Sequence, residues 1–538
     1  MKTAYYNAQV YTGSLPLSQA FIVENGFFTL AGTNEEVLAG LCDGDERVDL
    51  HGRFVCPGFN DSHMHLLGFG SVLGMANLAE HTGSLSGMLD YMRVYLVDHP
   101  PRKGQWLLGR GWNQDYYTDV RRMPNRYDLD AISNEIPMML TRACGHCFVV
   151  NSKALELSGI SRETVAPAGG AIGLENGQPN GRLYDKAIDL VQRILPTPGK
   201  QEIRDMLRAA CREVNRYGIT SVQTDDYQTF PGVPWQTINE VYQEMAAAGE
   251  LTVRVCEQAQ FTNLEALQDF VREYRHVKSD MFQIGPIKLL GDGSLGSRTA
   301  YLSQPYADAP ETQGFSLFSD EQLGQMVSFA HSHGMRVAVH AIGDACLDQV
   351  LNAVEQALKE KPSPDHRHGV VHCQITRPDQ LERIQKLGLH VYAQSIFLDY
   401  DNHIVENRVG KALASTSYHW KTLLDNGVSV SNGSDCPVEL PNVMAGIECA
   451  VTRTSLDGTG PYLPDQAFSV QDALDSYTWH GAEASFEENE KGRICPGFLA
   501  DFTVLTENPF EVENSCLHEI KVVGCFLGGK KVYPCFMG

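Results

Sequence analysis

Cysteine is scarce in this chain: 14 irregularly spaced residues in 538. That density excludes the disulfide framework of a small secreted domain, and the thiols are read as reduced. Apolar residues nowhere run uninterrupted for the roughly 18 positions that a membrane-spanning helix needs. The start, Met1-Lys2-Thr3-Ala4-Tyr5-Tyr6-Asn7, meets polar residues before any apolar stretch of signal-peptide length. A cytoplasmic protein with no membrane partner is expected. Positive charge is also short, with 43 Lys and Arg against 66 Asp and Glu and a net charge of −23. Binding to a phosphate backbone needs clustered cations to displace counterions, so no nucleic-acid partner is expected. The acidity serves solubility.

What is present is the composition of a folded protein, 43% hydrophobic and 20% charged. The length exceeds what one hydrophobic core usually organises, which predicts one large domain and at least one smaller module. Near the start, Ala8-Gln9-Val10-Tyr11 and Ala20-Phe21-Ile22-Val23 alternate apolar and polar positions between turn pairs such as Asn25-Gly26 and Asp43-Gly44. Near the end, Phe502-Thr503-Val504-Leu505 and Ile520-Lys521-Val522-Val523 read alike. These are short antiparallel strands. Residues 1–55 and 490–538 are predicted to join into one β-sandwich module beside a central domain of 56–489, since chain termini often lie close together.

The centre has a regular beat. Apolar, β-branched runs ending in polar residues recur at Ile219–Val222, Thr252–Val255, Ile284–Lys288, Arg336–His340, Gly369–His372, His390–Gln394 and Val428–Ser431. Several successive runs stand about 32–33 residues apart, close to the roughly 30 residues of one βα unit in a parallel barrel. Helical stripes fall between them, as in Ala345 to Leu358 with Leu347, Val350, Leu351 and Val354 on one face. The predicted fold is α/β, a (β/α)₈ TIM-like barrel; a doubly wound open sheet is the alternative. The stretch at about 70–210 is too long for a loop and reads as a helical, hairpin-bearing cap inserted over the barrel mouth.

The chemistry begins at Asp61-Ser62-His63-Met64-His65. Two histidines two residues apart on extended chain leave by the same face, where neutral imidazoles can hold one divalent cation at about 2.0–2.1 Å. By itself His-x-His is weak evidence. Its weight comes from Lys288, His340, His372 and Asp435, each placed where an apolar run meets its following loop. That is the C-terminal rim of a barrel, where active sites of this fold sit.

Five stretches carry a resemblance to a known family: Pro57–His65, Lys288–Arg298, Val339–Asp344, Asn432-Gly433-Ser434-Asp435 and Pro496-Gly497-Phe498-Leu499-Ala500-Asp501. Together the chain resembles the amidohydrolase superfamily, in its YtcJ-like branch that includes N-substituted formamide deformylase. The resemblance implies metal ligands His63 and His65 from strand 1, His340 from strand 5 and His372 from strand 6. It implies a CO₂-derived carbamate on Lys288 that could bridge two metals, whereas the plain reading pairs this lysine with an acid such as Asp292. Asp435 would be the last ligand and the proton shuttle for attack by metal-bound hydroxide. One or two divalent metals are implied, zinc by default with Fe²⁺ or Mn²⁺ as alternatives. The substrate would be a small molecule, and a homodimer is the family's suggestion.

Other residues are read two ways. His146 resembles a family position that reaches into the site to polarise the substrate carbonyl, beside an ordinary surface or core histidine. Trp112 and Asp115 line a pocket or belong to a core. Arg298 meets a substrate carboxylate or an internal acid. The function expected is hydrolysis of a C–N bond in an amide, formamide or N-acyl compound. The alternatives are a cyclic amidohydrolase, a deaminase or an esterase on the same centre, and a non-catalytic regulatory homologue.

Overall fold

The computed structural model describes residues 1–534 except 82, 103, 121, 144–146, 168–169 and 274–278. Eight parallel strands form one nearly closed sheet: β1 (Phe59–Met64), β2 (Ile219–Thr224), β3 (Arg254–Gln260), β4 (Phe282–Leu290), β5 (Val337–Ala341), β6 (Gly369–His372), β7 (His390–Ala393) and β8 (Val430–Asn432). Each hydrogen-bonds the next in chain order. The TIM-like barrel is therefore the architecture. Its strands are largely buried, as runs rich in Val, Ile and Ala must be when helices cover one face and side chains fill the other.

β8 returns to β1 through Asp435 N–H to His63 O (2.8 Å) and His65 N–H to Cys436 O (2.8 Å). Gly433 permits the approach, because a Cβ there would lie 2.5 Å from the backbone nitrogen of His63. Amphipathic helices separate the strands. Asp344–Glu360 buries Leu347, Val350, Leu351 and Val354, the predicted stripe. Gly291-Asp292-Gly293-Ser294-Leu295-Gly296 has the spacing of a dinucleotide-binding turn, yet it opens no helix; the next one begins at Asp320.

The two ends of the chain build two sheets. Phe27–Gly32, Ala20–Glu24, Lys2–Tyr6 and Glu46–Asp49 make the first; Gln9–Val10, Phe54–Pro57, Phe502–Leu505, Val522–Leu527 and Lys530–Tyr533 make the second. Phe21 and Phe28 of one pack with Val55, Phe502 and Phe526 of the other in a common core. Asp501 ties this sandwich to the barrel, accepting at its carbonyl from Gly58 N–H (2.9 Å) and pairing its carboxylate with Arg254 of β3 (2.6 Å).

Residues 69–206 and 230–233 form a second compact unit. The unit holds helices, such as Leu85–Asp98, and hairpins whose strands join a six-stranded mixed sheet in the order Gly170–Glu175, Gln178–Asp185, Cys147–Val150, Met138–Arg142, Leu107–Trp112, Ala76–Asn77. Trp112 is fully buried in its core and donates its indole N–H to Leu140 O (3.1 Å). Among the described residues, no helix is long and apolar enough to cross a membrane.

Candidate metal centre

His63 is the fifth residue of β1, His65 follows that strand directly, His340 is the last but one of β5 and His372 closes β6. Lys288 lies near the end of β4, and Asp435 three residues beyond β8. The barrel register thus gathers all six at one rim. His63 Nε2 is 3.2 Å from Lys288 Nζ and 3.5 Å from Asp435 Oδ1; His65 Nε2 is 3.0 Å from the same oxygen. His372 Nε2 stands 3.0 Å from His340 Nδ1. Donor atoms of His63, His372 and Asp435 all lie within 4.8 Å of one another.

Each histidine has its outward nitrogen engaged by an acceptor, and that fixes its tautomer. His63 Nδ1–H donates to Gln258 Oε1 (2.8 Å), because Gln258 spends its own amide N–H on Ser62 O (3.1 Å). His372 Nδ1–H donates to Gln394 Oε1 (2.7 Å), whose amide N–H goes to Tyr392 O (3.0 Å). His65 Nδ1–H donates to Asp225 O (3.0 Å). His340 Nε2 has two acceptors, Gly293 O at 3.1 Å and Asp292 Oδ1 at 3.2 Å. Four inward nitrogens are left facing the rim. Two of them, on His340 and His372, meet at 3.0 Å, an arrangement that a positive centre between them would relieve.

The electrostatics agree. Burial, with the charge of Lys288, holds His63 well below the usual histidine value; burial, with His340, does the same to His372. Both are neutral, as ligands must be. At His65 burial acts in the same direction, but the hydrogen bond and charge of Asp435 outweigh it and lift the imidazole to about 9. Burial pushes Asp435 up, yet the hydrogen bond from His65 and the charges of His63 and His65 hold it well below the usual carboxylate range. The pair therefore favours positive charge between Nε2 and Oδ1. Donor chemistry, the neutral imidazoles of His63 and His372 and a charged carboxylate all fit a divalent cation.

His372 and Asp435 also sit in left-handed backbone, φ 75° and 56°. Non-glycine residues adopt it at a cost of about 1–3 kcal/mol, and such strain concentrates at functional sites.

Three residues to which the sequence reading gave no role complete the site. Gln258 and Gln394 orient histidines. Asp225, buried just past β2, accepts from Lys288 Nζ at 3.2 Å, while its Oδ1 has no partner. Lys288 therefore pairs with Asp225 where the sequence offered Asp292; the latter instead accepts the backbone N–H groups of Tyr301, Ile342 and Gly343. Asp225 was readable only as the continuation Gln223-Thr224-Asp225 of a run taken to end at Val222.

The weaker candidates fall elsewhere. His146 lies outside the described residues. Asp115 is an exposed partner of Arg142 (3.0 Å) in the second unit. Arg298 is committed to Asp308 at 2.8 Å, the internal ion pair of its two readings.

The model of the Amidohydrolase family matches residues 46–533. Putative amidohydrolase YtcJ of Bacillus subtilis (strain 168) is 32% identical over 539 residues, covering 99% of each chain. N-substituted formamide deformylase of Arthrobacter pascens is 26% identical over 528 residues, 95% of this chain and 94% of that one. A metal-dependent hydrolase from Pyrococcus furiosus, solved by crystallography, is similar at a TM-score of 0.79 with 27% identity, covering 95% of this chain and 100% of that one.

Proposed function

This chain belongs to the amidohydrolase family and is a metal-dependent hydrolase, and on that footing we propose that it cleaves a carbon–nitrogen bond in a linear amide, formamide or N-acyl small molecule. The observation that carries the reading is the cluster at one rim in which His63 and His65 meet the Asp435 carboxylate, His63 also meets the Lys288 amine, and His372, within 4.8 Å of His63 and Asp435, meets His340. The similarity to N-substituted formamide deformylase supports the choice of bond.

His63, His65, His340, His372 and Asp435 would hold the cation. A divalent metal there, zinc by preference for imidazole and carboxylate, supplies Lewis acidity toward water and toward the scissile carbonyl. The protein's part is positional and acid–base. Gln258 and Gln394 keep His63 and His372 turned inward. Asp435 Oδ1, held ionised, takes the proton that water sheds on attack and returns it to the departing nitrogen, so that the amine leaves neutral. Lys288 as an amine pairs with Asp225; carboxylated by CO₂, with loss of a proton, it would offer two oxygens to the same centre. Such a carbamate would add ligand atoms for a second metal, which a one-metal site does not need.

A panel of linear amides, formamides, cyclic amides, aminated rings and esters, with product analysis, tests the reading. Formation of an amine and a carboxylic or formic acid from linear substrates is expected. Exclusive ring opening, deamination or ester cleavage would overturn it.

A further inference from the structure

The N-terminal ends of the barrel strands, opposite the candidate metal centre, carry a cavity of about 640 Å³. Its size falls within the range of about 300–1,000 Å³ typical of small-molecule sites. Two donors in its lining lack acceptors. Gln283 Nε2, at the start of β4, and Arg336 Nε, just before β5, are both buried and make no hydrogen bond. Buried N–H groups almost always find an acceptor, and each exception calls for an explanation.

Arg336 is the more telling. Half-buried, it has no carboxylate partner among the described residues, and Nη2 meets only the weak acceptor Cys256 Sγ at 3.9 Å. Glycine at 285 leaves room for the Cys256 thiol on which this guanidinium rests, since a Cβ there would lie 2.5 Å from Cys256 Sγ. The guanidinium lies over the Phe486 ring at 4.9 Å, and Arg367 covers the same ring at 3.8 Å. Phe486 (φ 59°) and Arg367 (φ 43°) both sit in left-handed backbone, strain that an aromatic and a long side chain adopt only when their surroundings hold them there.

The charges at the cavity do not neutralise Arg336. Asp365, the acid in the lining, is engaged by Arg367 at 2.9 Å, and Arg367 is itself shared with Glu488 at 2.7 Å. Lys361 adds a second cation and donates to Ser332 O. The buried histidines are occupied with one another: Val337 N–H donates to His368 Nδ1, His368 Nε2 faces His331 Nδ1 at 2.8 Å, and His331 Nε2 faces Lys361 O at 2.6 Å. They supply walls and leave the free donors to Arg336 and Gln283.

We propose that this cavity binds a small organic anion, a carboxylate or a phosphate, on the Arg336 guanidinium and the Gln283 carboxamide, with Phe486 as its apolar lip. A planar guanidinium suits the oxygens of either group; Arg336 Nε and the Gln283 amide N–H₂ are closed to solvent as they stand and meet the anion by a turn of their side chains. The site is separate from the metal centre and does not depend on the bond that centre cleaves.

The test is calorimetric titration of the full-length, metal-loaded protein at constant ionic strength, with inorganic phosphate in one arm and succinate in the other. Anion binding at a metal would persist in every variant, so the readout is the difference between proteins. Saturable binding in at least one arm is expected, weakened about tenfold or more by Arg336→Gln and by Gln283→Glu, which sets a carboxylate in the cavity. The responding arm distinguishes phosphate from carboxylate ligands. Isotherms that superimpose for wild type and both variants in both arms would overturn the proposal. Should Arg336→Gln fail to fold, the Gln283→Glu comparison decides alone.

Discussion

The Nδ1 of His372 lies 2.7 Å from Oε1 of Gln394, and this contact decides which nitrogen of the β6 histidine faces the barrel centre. Gln394 cannot turn over without losing its own bond to Tyr392 O. Gln394→Leu removes the acceptor and frees the ring to rotate or change tautomer. Partners of this kind are worth roughly 10–100-fold in metal affinity. Chelator competition should show a loss of that order in Gln394→Leu, and likewise in Gln258→Leu at His63, with folding intact. Unchanged affinity in both variants would remove the glutamines from the metal site.

Arg254 and Asp501 form a buried ion pair at 2.6 Å between β3 and the closing Pro496–Asp501 stretch. Gly528 N–H also donates to that carboxylate (2.7 Å), so Asp501→Ala strands both a guanidinium and an amide. Breaking one side of a buried pair costs about 3–5 kcal/mol. Denaturant unfolding should register that loss, while metal content per folded molecule stays at the wild-type level. The family stretch that ends at Asp501 is thus a structural clamp between sandwich and barrel.

Legibility in the sequence followed range of interaction. The barrel was readable because each strand is a local apolar run closed by a polar residue, as at Val337–His340 and Val370–His372. The sheet of the second unit was not, because its parallel pairing of Ala76–Asn77 with Gly109–Arg110 spans more than a helix of intervening chain and leaves no local period. Histidines announced the site, whereas Gln258 and Gln394 are common polar residues whose role exists only once a ring nitrogen faces them. Asp225 was hidden by a run that continues beyond its last β-branched residue. Cys144 and Cys147 stand as Cys-x-x-Cys, with Cys147 buried at the start of a strand and Cys144 outside the described residues.

His390 gives a pH dependence of definite sign. Burial at the start of β7 is the main cause that lowers it to about 3, and its Nε2 faces Ser431 Oγ at 2.8 Å. In the unfolded chain it titrates near 6.5. Between those values the unfolded chain binds a proton that the folded one refuses. The contribution of neutral His390 is complete above about 6.5 and is lost as pH falls toward 3. His390→Gln has no such proton, so its stability relative to wild type should rise by roughly 1.4 kcal/mol for each unit of acidification below 6.5. Equilibrium unfolding of both proteins at pH 7, 5.5 and 4.5 measures the gap, and a gap constant with pH would contradict the sign.

Lys288 separates two chemistries by mass. As an ammonium it donates to Asp225, and Lys288→Met would then strand a buried carboxylate. As a carbamate it adds one CO₂, which leaves on acidification. Native mass spectrometry of the metal-loaded protein at pH 8 should show that increment, and denaturing acid should remove it. Absence of the increment in a fully metallated, active protein would leave Lys288 as the ion-pair partner of Asp225 and remove the carbamate from the centre.

Asp435 is the residue on which the acid–base assignment turns. Its left-handed backbone aims Oδ1 between His65 Nε2 (3.0 Å) and His63 Nε2 (3.5 Å), and Val438 N–H ties down its carbonyl. Asn is nearly isosteric and tolerates φ > 0, so Asp435→Asn should preserve the loop. Its amide oxygen can still face a cation, but the amide cannot take a proton from water. Metal content should therefore stay near wild type while kcat falls by about 10²–10⁴, the range for a lost general base. The acid limb of the kcat/KM profile should vanish with it. Near wild-type kcat in a metal-loaded Asp435→Asn protein would sink the role. A variant that binds no metal would instead show the carboxylate to be needed as a ligand, and Asp435→Glu, which retains the charge, would then be expected to recover metal before it recovers turnover.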